Sequence, residues 1–319
     1  MTAQVRKFHR VSSRKKLRFN KKSKGKKRIS FAFLKRGLLL ILALSALILV
    51  SSHTKYWDSK TKLSIVSENG QDIDVITFDP ASNEINEVII PGDTLVTVAR
   101  NLGSWRLKSV WKLGENEGLG GKLMVETVSR YFKIPVYVWA DEPVIMFAEK
   151  NLYKIVKAVV TPYKTNLGIG DRIKIALFSL GVKNTKRNKV NLKDVGYLKL
   201  VDLPDGEKGW IVAGRLPKDL LGVFSIEEIS NKSLKVEIEN ESGSIITADS
   251  VGGLVEVLGA KVVAVNVKDT TEADCEVWGK DRLLLEKVRL LFYCTDVSKS
   301  KDSTFDLTIR FGSRFVKRF

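Results

Sequence analysis

The chain has 319 residues and a formal net charge of +18, but 15 of its basic residues and none of its acidic ones lie in residues 1–36. The remainder holds 39 basic and 36 acidic groups, so the high pI is no argument for nucleic-acid binding by the whole protein. Histidine occurs only as His9 and His53, which excludes Ser-His-Asp and Cys-His chemistry and His-ligated zinc from residues 54–319.

The chain opens with a basic tail, densest from Arg14 to Arg28. Few aromatic residues are present there to stack on bases, so topology signalling and contact with anionic lipid are expected ahead of nucleic acid. Gly37–Ser52 follows as an uncharged stretch of 16 residues. As a helix it spans ~24 Å, and Phe31–Leu34 and His53–Trp57 extend it toward the ~30 Å hydrocarbon core. No small-x-small cleavage site follows clearly, so residues 37–53 are expected to be an uncleaved signal anchor. Lys and Arg precede the span, which predicts a single-pass plasma-membrane protein with a cytoplasmic N-terminus and extracytoplasmic C-terminal domains.

After the anchor, Leu63 to Asp79 predicts two short strands around a Glu68-Asn69-Gly70 turn. A second hairpin follows through "DPASNE" into "INEVIIP". "GGKLMVETVSRYFKIP" has helical spacing up to Pro135, and "PVYVWAD" reads as a strand. From Pro143 to about Ser230 the pattern is less legible. "VIMFAEKNLYKIVKAVV" and "LGIGDRIKIALFSLGV" predict one helix each, and a hairpin turns at Pro204-Asp205-Gly206.

From Ser233 the order is strand, helix, strand, strand, helix, strand. The helix "TADSVGGLVEVLG" is expected to open at Thr247 or Asp249 and to close at Gly259. Cys275 and Cys294 lie in this part; disulfide and free buried thiols are both open readings. A boundary falls in the polar "EEISNKS" near residues 225–233. The expected division is therefore 1–36 tail, 37–53 anchor, 54–230 α/β domain and 231–319 C-terminal module.

Four stretches together resemble the bacterial LytR-CpsA-Psr family of the cell envelope. "DIDVITFDPASNEINEVIIPGDTLV" is similar to that family's strand, turn and strand ending in Ile-Pro-Arg-Asp-Thr. "WRLKSVWKLGENEGLGGKLMVETVSRYFKIPVYVWAD" is similar to the segment running Lys-Ile-Asn, Gly-Gly, helix, Gly-Ile-Pro and strand. "VEIENESG" and "DLTIRFGSRF" look like the opening and closing strands of the LytR C-terminal domain. The resemblance implies a mixed sheet with flanking helices followed by a small β-α-β-β-α-β module. It also implies phosphotransfer of glycopolymer from a polyprenyl-pyrophosphate lipid to peptidoglycan, with arginines holding the pyrophosphate and acids holding Mg2+.

The motif positions depart from the family where the chemistry lies. The loop arginine is Gly92, while the loop acid persists as Asp93. The earlier acid falls at Gln71, or at Asp72 with a slip of one. The cation of Lys-Ile-Asn is Arg106 and its asparagine is Lys108. The family's later arginine segment has no counterpart; Arg172 and Arg187 stand in unrelated contexts. The candidate catalytic residues are thus Asp93 and Arg106, with Asp93 and Asp72 as candidate Mg2+ ligands. The competing reading makes Pro91-Gly92-Asp93-Thr94 a structural turn, with Asp93 or Thr94 capping a helix.

Trp105, Trp111 and Trp139 are expected in the core ahead of sugar stacking. Asp74 is expected to face solvent, and Asn240 to order the turn after its strand. The function expected is a cell-envelope protein that binds or organises cell-wall glycan or its polyprenyl-phosphate lipid, catalytically degenerate. One alternative is an active phosphotransferase. Another is a membrane scaffold working through the basic tail.

Overall fold

In the computed structural model, residues 54–299 and 301–319 are described. The expected tail and anchor lie outside them. Among the described residues no helix is long and apolar enough to cross a membrane.

The first half is built on a mixed five-stranded sheet. β1 (Leu63–Glu68), β2 (Ile73–Asp79) and β3 (Glu84–Ile90) form an antiparallel meander. The first turn is set by Asn69, whose Oδ1 accepts from the Asp72 amide at 2.8 Å, and by Gly70 at φ +90°. Short strands β4 (Leu95–Thr97) and β5 (Ser104–Arg106) pair antiparallel beside the sheet and lead into α1 (Leu107–Asn116) and α2 (Lys122–Phe132). β6 (Val138–Ala140) then adds parallel to β1 at one edge.

The single helix expected from Val144 to Val160 is two elements. A 3-10 segment, Glu142–Ala148, precedes α3 (Leu152–Val160). The break lies at Asn151, whose side chain accepts from the Lys154 amide at 3.2 Å and starts a new helix. α4 (Ile169–Gly181) packs beside α3. β7 (Arg187–Asn191) closes the other sheet edge parallel to β3, giving the order β6-β1-β2-β3-β7. β8 (Leu198–Asp202) and β9 (Lys208–Val212) form the hairpin expected at Pro204-Asp205-Gly206.

Every residue of β2 is buried, because apolar clusters lie on both faces of this sheet. That overturns the solvent-facing expectation for Asp74, which is 1 % exposed. Its Oδ2 accepts from Asn69 Nδ2 at 2.9 Å, while its Oδ1 is buried without a hydrogen-bond donor. Burial pushes its pKa up to about 6.

Helices α5 (Lys218–Phe224) and α6 (Glu227–Ser230) lead into the second half. The polar "EEISNKS" stretch is partly helical there, and Ile226 and Ile229 are buried in the second core. β10 (Lys235–Glu241), α7 (Ile245–Val257), β11 (Lys261–Val267), β12 (Cys275–Gly279), α8 (Arg282–Phe292), β13 (Thr295–Asp296), β14 (Leu307–Gly312) and α9 (Ser313–Arg318) follow. They form a second mixed sheet, ordered β11-β10-β14-β12-β13.

α7 begins earlier than expected. Ser244 is its cap, with Oγ accepting from the Thr247 amide at 3.2 Å, and Gly259 at φ +108° ends the turn beyond it. Cys275 and Cys294 form a disulfide. Asn240 orders the turn after β10, its Oδ1 accepting from the Ser242 amide at 3.0 Å. α7 is apolar nearly all round because it packs on its own sheet and on the first half, where Val257 joins the first core. α8 also reaches across: buried Lys287 donates to Tyr137 Oη at 3.0 Å and to the Lys62 carbonyl at 3.4 Å.

Candidate functional site

β3 ends at Ile90 and the chain turns through Pro91-Gly92-Asp93-Thr94. The Thr94 amide and hydroxyl both donate to the Pro91 carbonyl, at 3.0 and 2.6 Å. Three neighbours fasten this loop. Asp72 Oδ1 accepts from the Gly92 amide at 2.9 Å, the Lys108 amide donates to the Gly92 carbonyl at 2.9 Å, and the Trp210 amide donates to the Asp93 carbonyl at 3.2 Å. Neither Asp93 nor Thr94 caps a helix; the residue preceding α1 is Arg106, and it makes no side-chain cap.

Gly92 is required by this close approach. A Cβ there would stand 1.8 Å from the Gln71 carbonyl oxygen, so any side chain meets backbone. The position where the resembled family has its loop arginine therefore has no room for one in this arrangement.

Asp93 and Arg106 are brought together. Arg106 Nη1 lies 3.3 Å from Asp93 Oδ1, and Lys108 Nζ lies 2.6 Å from the same oxygen. The sequence did not point to the two other acids on Arg106, which come from the β8–β9 turn. Arg106 Nη2 donates to Asp205 Oδ2 at 2.8 Å and to Glu207 Oε2 at 3.2 Å, while Nε donates to Asp205 Oδ2 at 3.2 Å. Nη1 also donates to the Lys208 carbonyl at 3.4 Å. Every nitrogen of the guanidinium is thus engaged. Lys108, then the charge of Arg106, holds the Asp93 carboxyl below the usual carboxylate range. Asp205 is lowered chiefly by its bond to Arg106.

Three carboxylates against two cations leave this cluster at −1. A phosphate-binding site has the opposite balance. Arg172 and Arg187 do not supply the missing charge. Arg172 stacks on the Tyr163 ring at 4.0 Å, and Arg187 donates to the carbonyls of Phe147 and Ala148 at 3.2 and 2.7 Å.

The same set is a poor fit for magnesium. Asp72 spends an oxygen on the Gly92 amide, and Asp93 is held by two cations that a dication would have to displace. Among the described residues, no three acid, histidine or cysteine side chains are grouped as a metal site.

Beside the cluster lies a cleft of about 480 Å3, lined in part by Leu95, Trp105, Arg106, Leu203, Pro204 and Asp205. Trp105 is 44 % exposed, contrary to the core expectation, and its Nε1 donates to the Leu102 carbonyl at 2.8 Å, which fixes the ring. Trp111 is a core residue, edge-on to Trp139 at 6.0 Å, whereas Trp139 is half-buried, packed against the core and over Gly121. A larger groove of about 660 Å3 lies toward the other end of β3, between Asn86, Asn188 and Leu220. Two of its three acids, Asp79 and Glu84, are paired with Lys62 and Lys186, at 3.0 and 2.7 Å; Asp219 is the third.

No family model matches the chain, and no curated protein matches it. Solved structures do. TagV of B. subtilis is 14% identical with a TM-score of 0.37, over 49% of this chain and 92% of that one. TagT of B. subtilis is 14% identical with a TM-score of 0.36, over 51% and 89%. Protein gbs0355 from Streptococcus agalactiae is 13% identical with a TM-score of 0.37, over 52% and 86%. TagT is also known bound to LIIa-WTA.

Proposed function

We propose that the chain is a single-span cell-envelope protein that binds cell-wall glycopolymer, or the glycan end of its polyprenyl-linked carrier, in the Trp105 cleft without transferring it. The observation that carries this is the saturation of Arg106 by Asp93, Asp205 and Glu207. A guanidinium already paired with three carboxylates has no donor left for pyrophosphate. Uncharged sugars suit the site better. A fixed, exposed indole offers an apolar face to sugar C–H groups, and the neighbouring carboxylates accept from hydroxyls. The envelope setting rests on the motif order in the sequence and on the expected anchor.

The test is a titration of the full chain in detergent, with wall-glycan fragments and with polyprenyl pyrophosphate, each with and without Mg2+. Glycan binding independent of Mg2+, and weakened at least tenfold by Trp105→Ala, is expected. The retained carboxylate of Asp93 favours the second reading, an active phosphotransferase. Mg2+-dependent pyrophosphate binding that drops in Asp93→Ala or Arg106→Ala is the outcome that would install it. The scaffold reading puts the work in residues 1–36. Replacing them with a short basic segment separates it from both.

A further inference from the structure

We infer that the outward face of the α3–α4 hairpin rests on the surface of an anionic lipid bilayer. On α3 the side chains of Leu152, Tyr153, Val156 and Val160 follow a helical repeat, and on α4 Ile169, Leu177 and Leu180 do the same. All seven are between 43 and 75 % exposed. Scattered exposed apolar residues are ordinary, but seven on two packed helices make a patch.

The two faces look the same way. α3 buries Ile155 and Ala158, and α4 buries Ile175 and Ala176, all in one core cluster. Their opposite sides therefore form one outward surface. Amphipathic helices that lie in the plane of a membrane have this construction: apolar side chains directed into the acyl boundary and lysines around them.

Charge singles out lipid among the candidate occupants. Residues 149–186 hold eight basic and two acidic residues, whereas the rest of the chain beyond residue 36 holds 31 basic and 34 acidic. Both acids are engaged: Glu149 pairs with Lys154 at 2.6 Å, and Asp171 is fully buried. Lys150, Lys157 and Lys183 remain exposed around the apolar patch. An apolar face ringed by lysine matches an anionic leaflet, and it repels a second copy of itself.

The course of the chain adds an independent observation. Asp171, in the first turn of α4, accepts from the amides of Lys55, Tyr56 and Trp57, each at 3.1 Å. The chain thus enters the described body at the hairpin. The apolar stretch Gly37–Ser52 ends three residues before Lys55. Three residues reach ~10 Å at most. A bilayer holding Gly37–Ser52 therefore lies within reach of this end of the hairpin. The inference rests on that stretch being an anchor, and not on the Trp105 cleft.

The experiment places a spin label at Val156→Cys, Leu177→Cys and, as a reference, Val265→Cys on the edge strand β11. The native cysteines are joined and take no label. The full chain is reconstituted in phosphatidylglycerol–phosphatidylcholine vesicles, and each label's access to oxygen and to a water-soluble nickel chelate is measured. The expected result is oxygen access several-fold above nickel access at residues 156 and 177, and the reverse at 265. In vesicles of phosphatidylcholine alone the ratio at 156 and 177 is expected to fall at least twofold. Nickel access at 156 and 177 equal to that at 265 overturns the inference. So does shielding from both reagents, which means that protein, from a second copy or from residues 1–53, covers the face. A carbonate wash reports the anchor separately. A chain stripped from the vesicles overturns anchor and inference together, while a retained chain with water-facing labels overturns the inference alone.

Discussion

The two five-stranded sheets solve the burial problem differently. β2, in the middle of the first, is buried along its whole length, whereas β10 in the second alternates buried and half-exposed residues. A sheet covered on both faces can hold a carboxylate only at a cost, and Asp74 shows it. A sheet covered on one face sends Glu237 and Glu239 outward to partners such as Asn266 and Lys268. Polar residues on a strand therefore mean different things in the two halves of this molecule.

The largest expected effect comes from the rim of the two-sided sheet. Gly92→Arg restores the residue that the resembled family has, but its Cβ meets the fixed Gln71 carbonyl. A loss of about 3 kcal/mol or more is expected in urea unfolding, with no gain of pyrophosphate binding. A stable variant that binds pyrophosphate would show that the loop yields.

In the one-sided sheet the strongest single element is the disulfide between β12 and the residue preceding β13, 19 positions apart. Replacing both cysteines by alanine is expected to cost about 3 kcal/mol in the same measurement. An unchanged midpoint would mean that the packing of α8 holds this edge unaided.

Asp74→Asn tests the two-sided sheet directly. The folded pKa of about 6 lies above the unfolded carboxylate value. Stability tied to this carboxyl is thus present below about pH 4 and is lost as pH rises through 6. The variant is expected to gain roughly 3 kcal/mol over the parent at pH 8 and nothing at pH 4. A difference independent of pH would remove the titration account. The smallest effect is Ser244→Ala, which removes the α7 cap for about 1 kcal/mol.

Much of this architecture was legible because the signals were local. Asn69-Gly70, Pro204-Asp205-Gly206 and Gly259 mark their turns whatever surrounds them. Other features depended on distant neighbours. Asp74 alternates with apolar residues as a solvent-facing residue does, and only the helices covering both faces reverse that meaning. Asn151 lies within a helical repeat, yet its side chain is a better cap than a helix interior. The site was half legible. Motif order indicated Asp93 and Arg106, but Asp205 and Glu207 join Arg106 from 99 and 101 positions away. No local spacing announces that a hairpin turn will neutralise an arginine so far back in the chain.

Lys287 carries a last consequence. Its ammonium is seated on the Tyr137 hydroxyl and the Lys62 carbonyl, both in the first half, so parting the halves breaks both bonds. Parting them also bares the side of α7 that covers the first core. The halves should therefore melt together, giving one calorimetric transition whose van't Hoff and measured enthalpies agree. Lys287→Met, which keeps the length and drops the charge, should leave that transition single. A chain cut after Ser230 should lose the cooperativity of both pieces.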